Sequence, residues 1–319
     1  IIGGTKEFYY RNKNQYPVGV NKKTGDLEIG FYAPRSHDIV NTETCLIHGE
    51  KNDKILKAIR RLIKDCETPI YDETTHTGLL RHVVIRHSEA NGDMMVVFVI
   101  NGKKIPDQSV FVERLTVDFP QIKSIYLNFN TERTNVILGN EVKLLYGEEH
   151  IVETIHHLDF VIHPLSFFQV NTRQTEVLYE TALDFAGLTG AETVWDAYCG
   201  AGTISLFLAE KAKHVYGVEI VEDAIASAKL NAKNNGITNT TFYVGRAEEV
   251  IEAEYKNGTS VDVVVVDPPR KGCEASLLQT LVEMAPKRVV YVSCDPATLS
   301  RDIKILAEGG YQLMKVQPV

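Results

Sequence analysis

The second half of the chain predicts a doubly wound α/β sheet of parallel strands with helices on both faces. The first observation is a regular alternation of helical and β-rich segments from about residue 172. The second is that three polar segments, at 196–203, 267–272 and 293–296, each follow a β-rich run. Because the carboxyl ends of neighbouring strands line one crevice in such a sheet, we expect the three segments to share one site.

Hydrophobic periodicity and turn residues place the elements of this sheet in order. The predicted helices are 174–186, 203–211, 221–234, 274–284 and 296–307, and the predicted strands begin at residues 193, 214, 240, 261 and 288. The run 261–266 is dense in valine, which predicts a strand buried on both faces.

The 319 residues are enough for about two domains. We place an α+β domain at 1–160 and the α/β domain at 161–319. Within the first, short strands are expected at 81–86, 94–100 and 122–128. An amphipathic helix is also expected there, because apolar residues recur at helical spacing: Ile55, Leu56, Ile59, Leu62 and Ile63.

Cys294 is the candidate nucleophile. It lies in Ser-Cys-Asp-Pro, where Asp295 can cap a helix and Pro296 can be its first residue. The positive end of a helix dipole favours thiolate over thiol, so this position predicts a reactive cysteine. The alternative is a buried structural thiol, which is the commoner fate of a single cysteine.

The segment Asp-Ala-Tyr-Cys-Gly-Ala-Gly-Thr (196–203) predicts a nucleoside-cofactor pocket. Gly200 and Gly202 allow backbone to approach a ligand, but Ser205 stands where a dinucleotide fingerprint needs a third glycine. Glu219 ends the next predicted strand, where an acidic residue accepts hydrogen bonds from ribose hydroxyls. A cofactor with a ribose and no pyrophosphate fits this pattern, and we expect S-adenosylmethionine.

Asp-Pro-Pro-Arg (267–270) follows the valine-rich strand, and its two prolines end the strand ladder. Methyltransferases that act on exocyclic amines resemble this segment, but they carry an aromatic residue where this chain has Arg270. Amine chemistry is therefore disfavoured. Taken alone, the two prolines could also form no more than a rigid turn.

Together these motifs resemble the RNA uracil-C5 methyltransferase family, and most closely its bacterial 23S ribosomal RNA enzymes. The resemblance covers nearly the whole chain and rests on Tyr-Arg-Asn-Lys (10–13), Pro-Val-Gly (17–19), Phe-Tyr-Ala-Pro-Arg-Ser-His-Asp-Ile-Val (31–40), Phe-Phe-Gln-Val-Asn (167–171) and the three segments above. It implies a class I, Rossmann-like methyltransferase fold and an RNA substrate. By the same resemblance the cofactor contacts are Gln169, Tyr198, Glu219 and Asp267, and the nucleophile is Cys294.

The chain departs from this family in three ways. The family's general base is a glutamate in a His-Val-Glu segment beyond Val319, so no base is assigned here. The family's small β-barrel RNA-binding domain is not found before Ile1. Ribosomal members also bind a 4Fe-4S cluster through three upstream cysteines and a fourth that corresponds to Cys45. We interpret the sequence as a fragment and expect such a cluster only in a longer protein.

The charge of the chain bears on whether its partner is a nucleic acid. The net charge of −8 does not indicate nucleic-acid binding. Residues 1–25, however, carry five basic residues and a single acidic one, Glu7. Those residues are Lys6, Arg11, Lys13, Lys22 and Lys23, interleaved with Phe8, Tyr9, Tyr10 and Tyr16. They predict an RNA-contacting patch, or else an ordinary solvated, partly buried β-region.

The five cysteines include no Cys-x-x-Cys pair, which predicts a reducing cytoplasm. No apolar run approaches the ~20 residues of a membrane span. We expect a monomer that does not bind membranes.

Two further interpretations remain open on sequence grounds. The first is methylation of another target, which could be transfer RNA, cytosine or a protein side chain. The second is a non-catalytic RNA-binding module with a vestigial cofactor pocket, which would bind RNA equally well without Cys294 and show no turnover.

Overall fold

The computed structural model describes residues 1–319 and contains two large sheets. The first half of the chain forms β1 (Lys13–Val20), β2 (Leu27–Tyr32), β3 (Ile39–Asn41), α1 (Glu50–Asp65), β4 (Leu80–His87), β5 (Met94–Ile100), α2 (Gln108–Asp118), β6 (Ile122–Phe129) and β7 (Glu141–Gly147). Its seven strands pair in the order β3-β2-β1-β4-β5-β6-β7. All pairs are antiparallel except β5 and β6, which α2 connects as a parallel crossover.

Helix α1 covers one face of this sheet. All five of its predicted apolar residues are buried, so the predicted helix is confirmed. They pack with β-strand residues and with α2, where Phe98 and Phe111 meet edge to face. The three strands predicted at 81–86, 94–100 and 122–128 are also confirmed, as β4, β5 and β6.

The second half begins with a hairpin of β8 (Ile151–Ile155) and β9 (Leu158–Ile162). It continues through α3 (Thr172–Ala186), β10 (Thr193–Ala197), α4 (Thr203–Ala209), β11 (His214–Glu219), α5 (Glu222–Asn234), β12 (Thr240–Val244), α6 (Ala247–Lys256), β13 (Val263–Val266), α7 (Ala275–Met284), β14 (Arg288–Tyr291) and α8 (Pro296–Glu308). The five strands β10 to β14 are parallel throughout and pair in the order β12-β11-β10-β13-β14.

This strand order confirms the predicted doubly wound sheet. The chain builds outward from β10 to β12 and then returns to place β13 on the other side of β10, which creates a switch point between them. Residues of α3, α4 and α5 share a buried cluster with Val263 and Val265. Residues of α6, α7 and α8 share another with Val264 and Val266. Strand β13 is therefore buried on both faces, as its sequence predicts.

Helix α6 was not predicted. Only Ala247 and Ile251 of its ten residues are buried, so its apolar pattern is short and weak. The predicted helix 203–211 is two residues shorter than expected, and the last strand begins at Arg288 as predicted and ends at Tyr291. None of the helices combines the length and the hydrophobicity that crossing a membrane requires.

The two sheets share one buried cluster. Val84, Met95 and Tyr126 of the first sheet belong to the same set of packed residues as Val194 and Val215 of the second. The division of the chain at residue 160 stays a prediction.

Candidate active site

The three predicted segments meet at the carboxyl ends of β10, β13 and β14. Ala197 lies opposite Val266, and Val266 lies opposite Tyr291 in the parallel register. Beyond the ladder, the Val292 N–H donates to the Val266 carbonyl at 2.8 Å. Tyr198, Asp267 and Cys294 therefore follow adjacent strand ends, at the switch point where ligands bind in sheets of this kind.

The turn after β10 is held in a left-handed conformation. Tyr198, Gly200 and Gly202 have φ of 68°, 54° and 78°. A side chain at Gly202 would also start 3.0 Å from the Cβ of Ala228, so this position needs glycine for both reasons. Tyr198 is half-buried and tolerates a backbone conformation that is uncommon for a large residue, which is typical of functional turns.

Glu219 ties this turn to the next strand. Its Oε2 accepts from the Gly200 N–H at 3.3 Å, and its Oε1 accepts from the Val221 N–H at 3.0 Å. The carboxylate is only half-buried and is not ion-paired with a basic residue. It lies at the end of β11, as predicted, where spare acceptor capacity can face a ligand hydroxyl.

Asp196 is a site residue that the sequence reasoning did not single out. It is fully buried, and the Ser205 hydroxyl donates to its Oδ2 at 2.5 Å while its Oδ1 has no partner. Burial, with a contribution from Asp267, raises the pKa of Asp196 to about 7. Burial raises the pKa of Asp267 to about 6. The sequence feature that could have identified Asp196 is its position beside the glycine turn, at the end of β10.

These groups fit S-adenosylmethionine. Asp196, Glu219 and Asp267 bring three carboxyl groups to neighbouring strand ends, and no lysine or arginine is ion-paired with them. Carboxylates without a basic partner suit a cation that also carries ribose hydroxyls.

Cys294 is exposed, so the interpretation of this residue as a buried structural thiol is wrong. The next residue caps α8 as predicted, because Asp295 Oδ1 accepts from the N–H groups of Ala297 at 2.9 Å and Thr298 at 3.3 Å. Cys199 and Cys273, in contrast, are buried. Burial raises the pKa of Cys273 to about 12, which keeps that thiol protonated.

Helix α8 holds the loop after Asp267. The buried Asp302 carboxylate accepts from the Cys273 N–H at 2.8 Å and from the Tyr291 hydroxyl at 2.6 Å. Thr298 Oγ1 donates to the Arg270 carbonyl at 3.2 Å. The backbone of Arg270 is thus fixed to α8, while its side chain is exposed at the crevice.

Gln169 lies in a loop that the first sheet holds. Asn12 Nδ2 donates to the Gln169 carbonyl at 2.9 Å, and the Asn12 N–H donates to the Val170 carbonyl at 2.8 Å. Arg86 Nη2 donates to the carbonyls of Pro164 and Ser166. Family resemblance alone predicted Gln169 as a cofactor contact, and that role stays a prediction.

One residue of the predicted aromatic and basic patch at the chain start is not on the surface. Tyr16 is buried, where its hydroxyl and His48 Nδ1 are 2.9 Å apart, so it cannot stack on bases. Lys6 is ion-paired with Glu89 at 3.2 Å.

The residues present do not form an iron–sulfur site. No three side chains of histidine, cysteine, aspartate or glutamate are grouped so that they could hold a metal ion. Cys45 is half-buried and stays a predicted ligand of a 4Fe-4S cluster.

The chain is similar to several known proteins. The family model described as tRNA (Uracil-5-)-methyltransferase matches residues 139–314. An uncharacterized RNA methyltransferase of Clostridium tetani is 52% identical over 319 residues, which cover 100% of this chain and 69% of that protein. One of Halalkalibacterium halodurans is 52% identical over 318 residues, with the same coverage.

Among solved structures, the fold is similar to that of the Pyrococcus abyssi tRNA (uracil-54, C5)-methyltransferase in complex with S-adenosyl-L-homocysteine. The TM-score is 0.78 at 28% identity, and the match covers 95% of this chain and 70% of that one.

Proposed function

The chain belongs to the tRNA (uracil-5-)-methyltransferase family of S-adenosylmethionine-dependent RNA methyltransferases, and from this premise we propose that it methylates C5 of uridine in 23S ribosomal RNA through a covalent bond between Cys294 and C6. The observation that carries the proposal is an exposed thiol at the strand ends that also hold Tyr198 and Asp267. A nucleophile must reach substrate, and the other cysteines of this half of the chain are buried.

The chemistry of uracil requires such a nucleophile. C5 is a weak nucleophile, and addition of the Cys294 sulfur to C6 moves the electron pair of the C5–C6 double bond onto C5. S-adenosylmethionine, when bound, supplies the methyl group that C5 takes. Loss of the C5 proton to a base then restores the double bond, breaks the C6–S bond and returns the thiolate.

Four residues are proposed to hold the cofactor. Glu219 would accept from the ribose hydroxyls, and Tyr198 would line the pocket beside the glycine turn. Asp267 and Gln169 would contact the cofactor from the β13 end and from the loop before α3. Asp267 follows Val266, the register partner of Tyr291 in β14, which supports a proposed contact between Asp267 and the uracil edge.

Transfer RNA is the second candidate substrate. The matching family model and the Pyrococcus abyssi protein are both described as acting on tRNA, which favours it. The two candidates differ in the RNA and not in the chemistry of the site.

The test offers both RNAs to the same protein. We expect 5-methyluridine in a 23S ribosomal RNA transcript, measured by nucleoside mass spectrometry after digestion, and little in a tRNA transcript. The opposite preference would reassign the substrate to tRNA. Cys294→Ser should abolish the product in either RNA. Cys66→Ser, which replaces a half-buried thiol at the end of α1, is the matched control and should keep full activity.

The covalent step is tested separately with RNA that contains 5-fluorouridine. Fluorine at C5 cannot leave as a proton, so the C6–S bond should persist and an adduct should survive denaturing gel electrophoresis. Cys294→Ser should give no adduct, and Cys66→Ser should give as much as the unmodified chain. Formation of 5-methyluridine by the Cys294→Ser protein would refute the thiol mechanism.

A further inference from the structure

Three basic residues lie together on the first sheet. Lys13 of β1 and Arg86 of β4 are directly opposite in the antiparallel register. Arg11 joins them, because its Nε donates to the Lys13 carbonyl at 2.9 Å. Like charges in directly opposed positions destabilise a sheet, so this arrangement needs a reason.

No carboxylate neutralises the three cations. Neither Arg11, Lys13 nor Arg86 takes part in any ion pair of the structure. Arg86 is only 2% exposed and its Nε has no partner. Arg11 and Lys13 are partly buried and more exposed than Arg86.

The cluster is electrostatically unfavourable in the free protein. Burial, together with the nearby charges of Arg86 and Arg11, lowers the pKa of Lys13 to about 7. Burial also lowers the pKa of Arg86 to about 10. Buried unpaired charge is unfavourable. An anion bound next to the three cations would offset this unfavourable free energy.

The cluster contacts the loop that carries Gln169. Arg86 donates to the carbonyls of Pro164 and Ser166, in the loop that leads to Gln169. Asn12, between Arg11 and Lys13 in sequence, donates to the Gln169 carbonyl. The same loop that is proposed to touch the cofactor therefore rests on the strands that carry the three cations.

We propose that Arg11, Lys13 and Arg86 form a binding site for a phosphate of the RNA backbone beside the target uridine. The inference rests on the proposed function for the identity of the RNA. Phosphate contacts fix the register of a nucleic acid on a protein, and arginine and lysine are their usual donors. Another anion near this loop would be the carboxylate of S-adenosylmethionine, so the experiment must separate the two sources.

The test compares Lys13→Gln and Arg11→Gln with a matched control, Lys104→Gln. Lys104 is an exposed lysine just after β5, at the opposite end of the sheet from Arg86, and it is not ion-paired. The affinity of each protein for a uridine-containing hairpin RNA is measured by filter binding at several salt concentrations. Affinity for S-adenosylmethionine is measured by calorimetry, and thermal stability by circular dichroism.

Lys13→Gln and Arg11→Gln should each weaken RNA binding and reduce the slope of log affinity against log salt by about 1, since one phosphate contact is lost. Their affinity for S-adenosylmethionine should not change. Lys13→Gln should also melt at a higher temperature than the unmodified chain, because repulsion with Arg86 is removed. Lys13→Arg keeps the charge and should keep the salt slope. Lys104→Gln should resemble the unmodified chain.

A salt slope for both glutamine variants equal to that of Lys104→Gln would overturn the proposal. So would a loss of S-adenosylmethionine affinity with unchanged RNA binding, because the anion would then be the cofactor's carboxylate. These binding measurements do not depend on turnover. A protein that makes no 5-methyluridine but shows the reduced salt slopes would refute the proposed function and leave the phosphate site standing.

Discussion

Individual carboxyl groups set the electrostatics of the candidate site. Asp196 and Asp267 lie at the ends of β10 and β13, and burial raises the pKa of both, to about 7 and about 6. Neither is ion-paired with a lysine or arginine. Both pKa values are therefore closer to neutral pH than the usual value of an aspartate.

The affinity for S-adenosylmethionine should therefore fall as the pH is lowered from about 8 to about 5, because a cation binds the ionised carboxylates better than the neutral acids. Calorimetric titration across this range measures the effect. Asp267→Asn should bind more weakly near pH 8 and lose the part of the dependence near pH 6. A flat profile for the unmodified chain would contradict the assignment.

The raised pKa values of Asp196 and Asp267 also affect stability. Stability should change with pH in the opposite direction to the affinity for S-adenosylmethionine. A carboxyl group whose pKa is raised in the folded state binds more protons folded than unfolded between about pH 4 and pH 7. These two groups should therefore stabilise the free protein increasingly as the pH falls through that window.

Glu219 is the residue expected to recognise the ribose. Glu219→Ala should weaken S-adenosylmethionine binding by about 1–3 kcal/mol, the usual loss for a hydrogen bond to a charged group. Because Glu219 also accepts from the N–H groups of Gly200 and Val221, Glu219→Gln is the informative control. It keeps one acceptor oxygen and should lose less. Equal affinity of all three proteins would reject this role.

At the scale of elements, α8 holds two of the segments that border the crevice. Its N-terminus follows Cys294, its second turn carries Asp302, and Asp302 holds both the Cys273 N–H and the Tyr291 hydroxyl. One helix thus fixes the end of β14 and the loop after β13. Gly272 in that loop has φ of 79° and would place a Cβ 2.6 Å from Asp302 Oδ2, so only glycine fits there.

Asp302→Ala should lower the free energy of unfolding by about 2–4 kcal/mol, because it leaves buried donors without an acceptor. Urea unfolding followed by circular dichroism provides the measurement. Ser300→Ala, at an exposed position of the same helix, is the control and should change stability by less than about 0.5 kcal/mol. Similar unfolding midpoints for the two variants would show that the network contributes little.

At the scale of the whole molecule, buried polar residues join the two sheets. Glu153 of β8 is fully buried and accepts from the Glu89 and Ala90 N–H groups after β4 and from Thr172 Oγ1 at the start of α3. Together with Asn12 and Arg86, it connects the first sheet to the loop and helix that precede the parallel sheet. An RNA held on the first sheet would therefore lie at a fixed place relative to Cys294.

This geometry predicts a preference for unpaired uridine. A base stacked in a duplex does not expose C6 to a thiol, so the target must lie in a loop or be flipped out. Methylation of a hairpin RNA should fall sharply when its loop is closed into a helix of the same sequence, as measured by incorporation of labelled methyl groups. Equal rates on the two RNAs would contradict this prediction.

The sequence by itself determined the elements of the parallel sheet, because valine-rich runs, glycine turns and the Asp295 cap are local signals. Strand ends of a parallel sheet meet at one edge, so Tyr198, Asp267 and Cys294 could be expected together without coordinates. Helix α6 escaped prediction because Ala247 and Ile251 are its only buried residues. The prediction that Tyr16 contacts RNA was wrong, because its packing against α1 and His48 cannot be inferred from the neighbouring sequence.

Only the tertiary structure decided which charges are left unpaired. The opposition of Lys13 and Arg86 depends on a strand register that joins residues 73 positions apart in the chain. The isolation of Asp196 Oδ1 depends on what surrounds it after folding. Burial and pairing are properties of the folded environment. They determine both the free-energy cost of burying a charged group and its ability to bind a ligand.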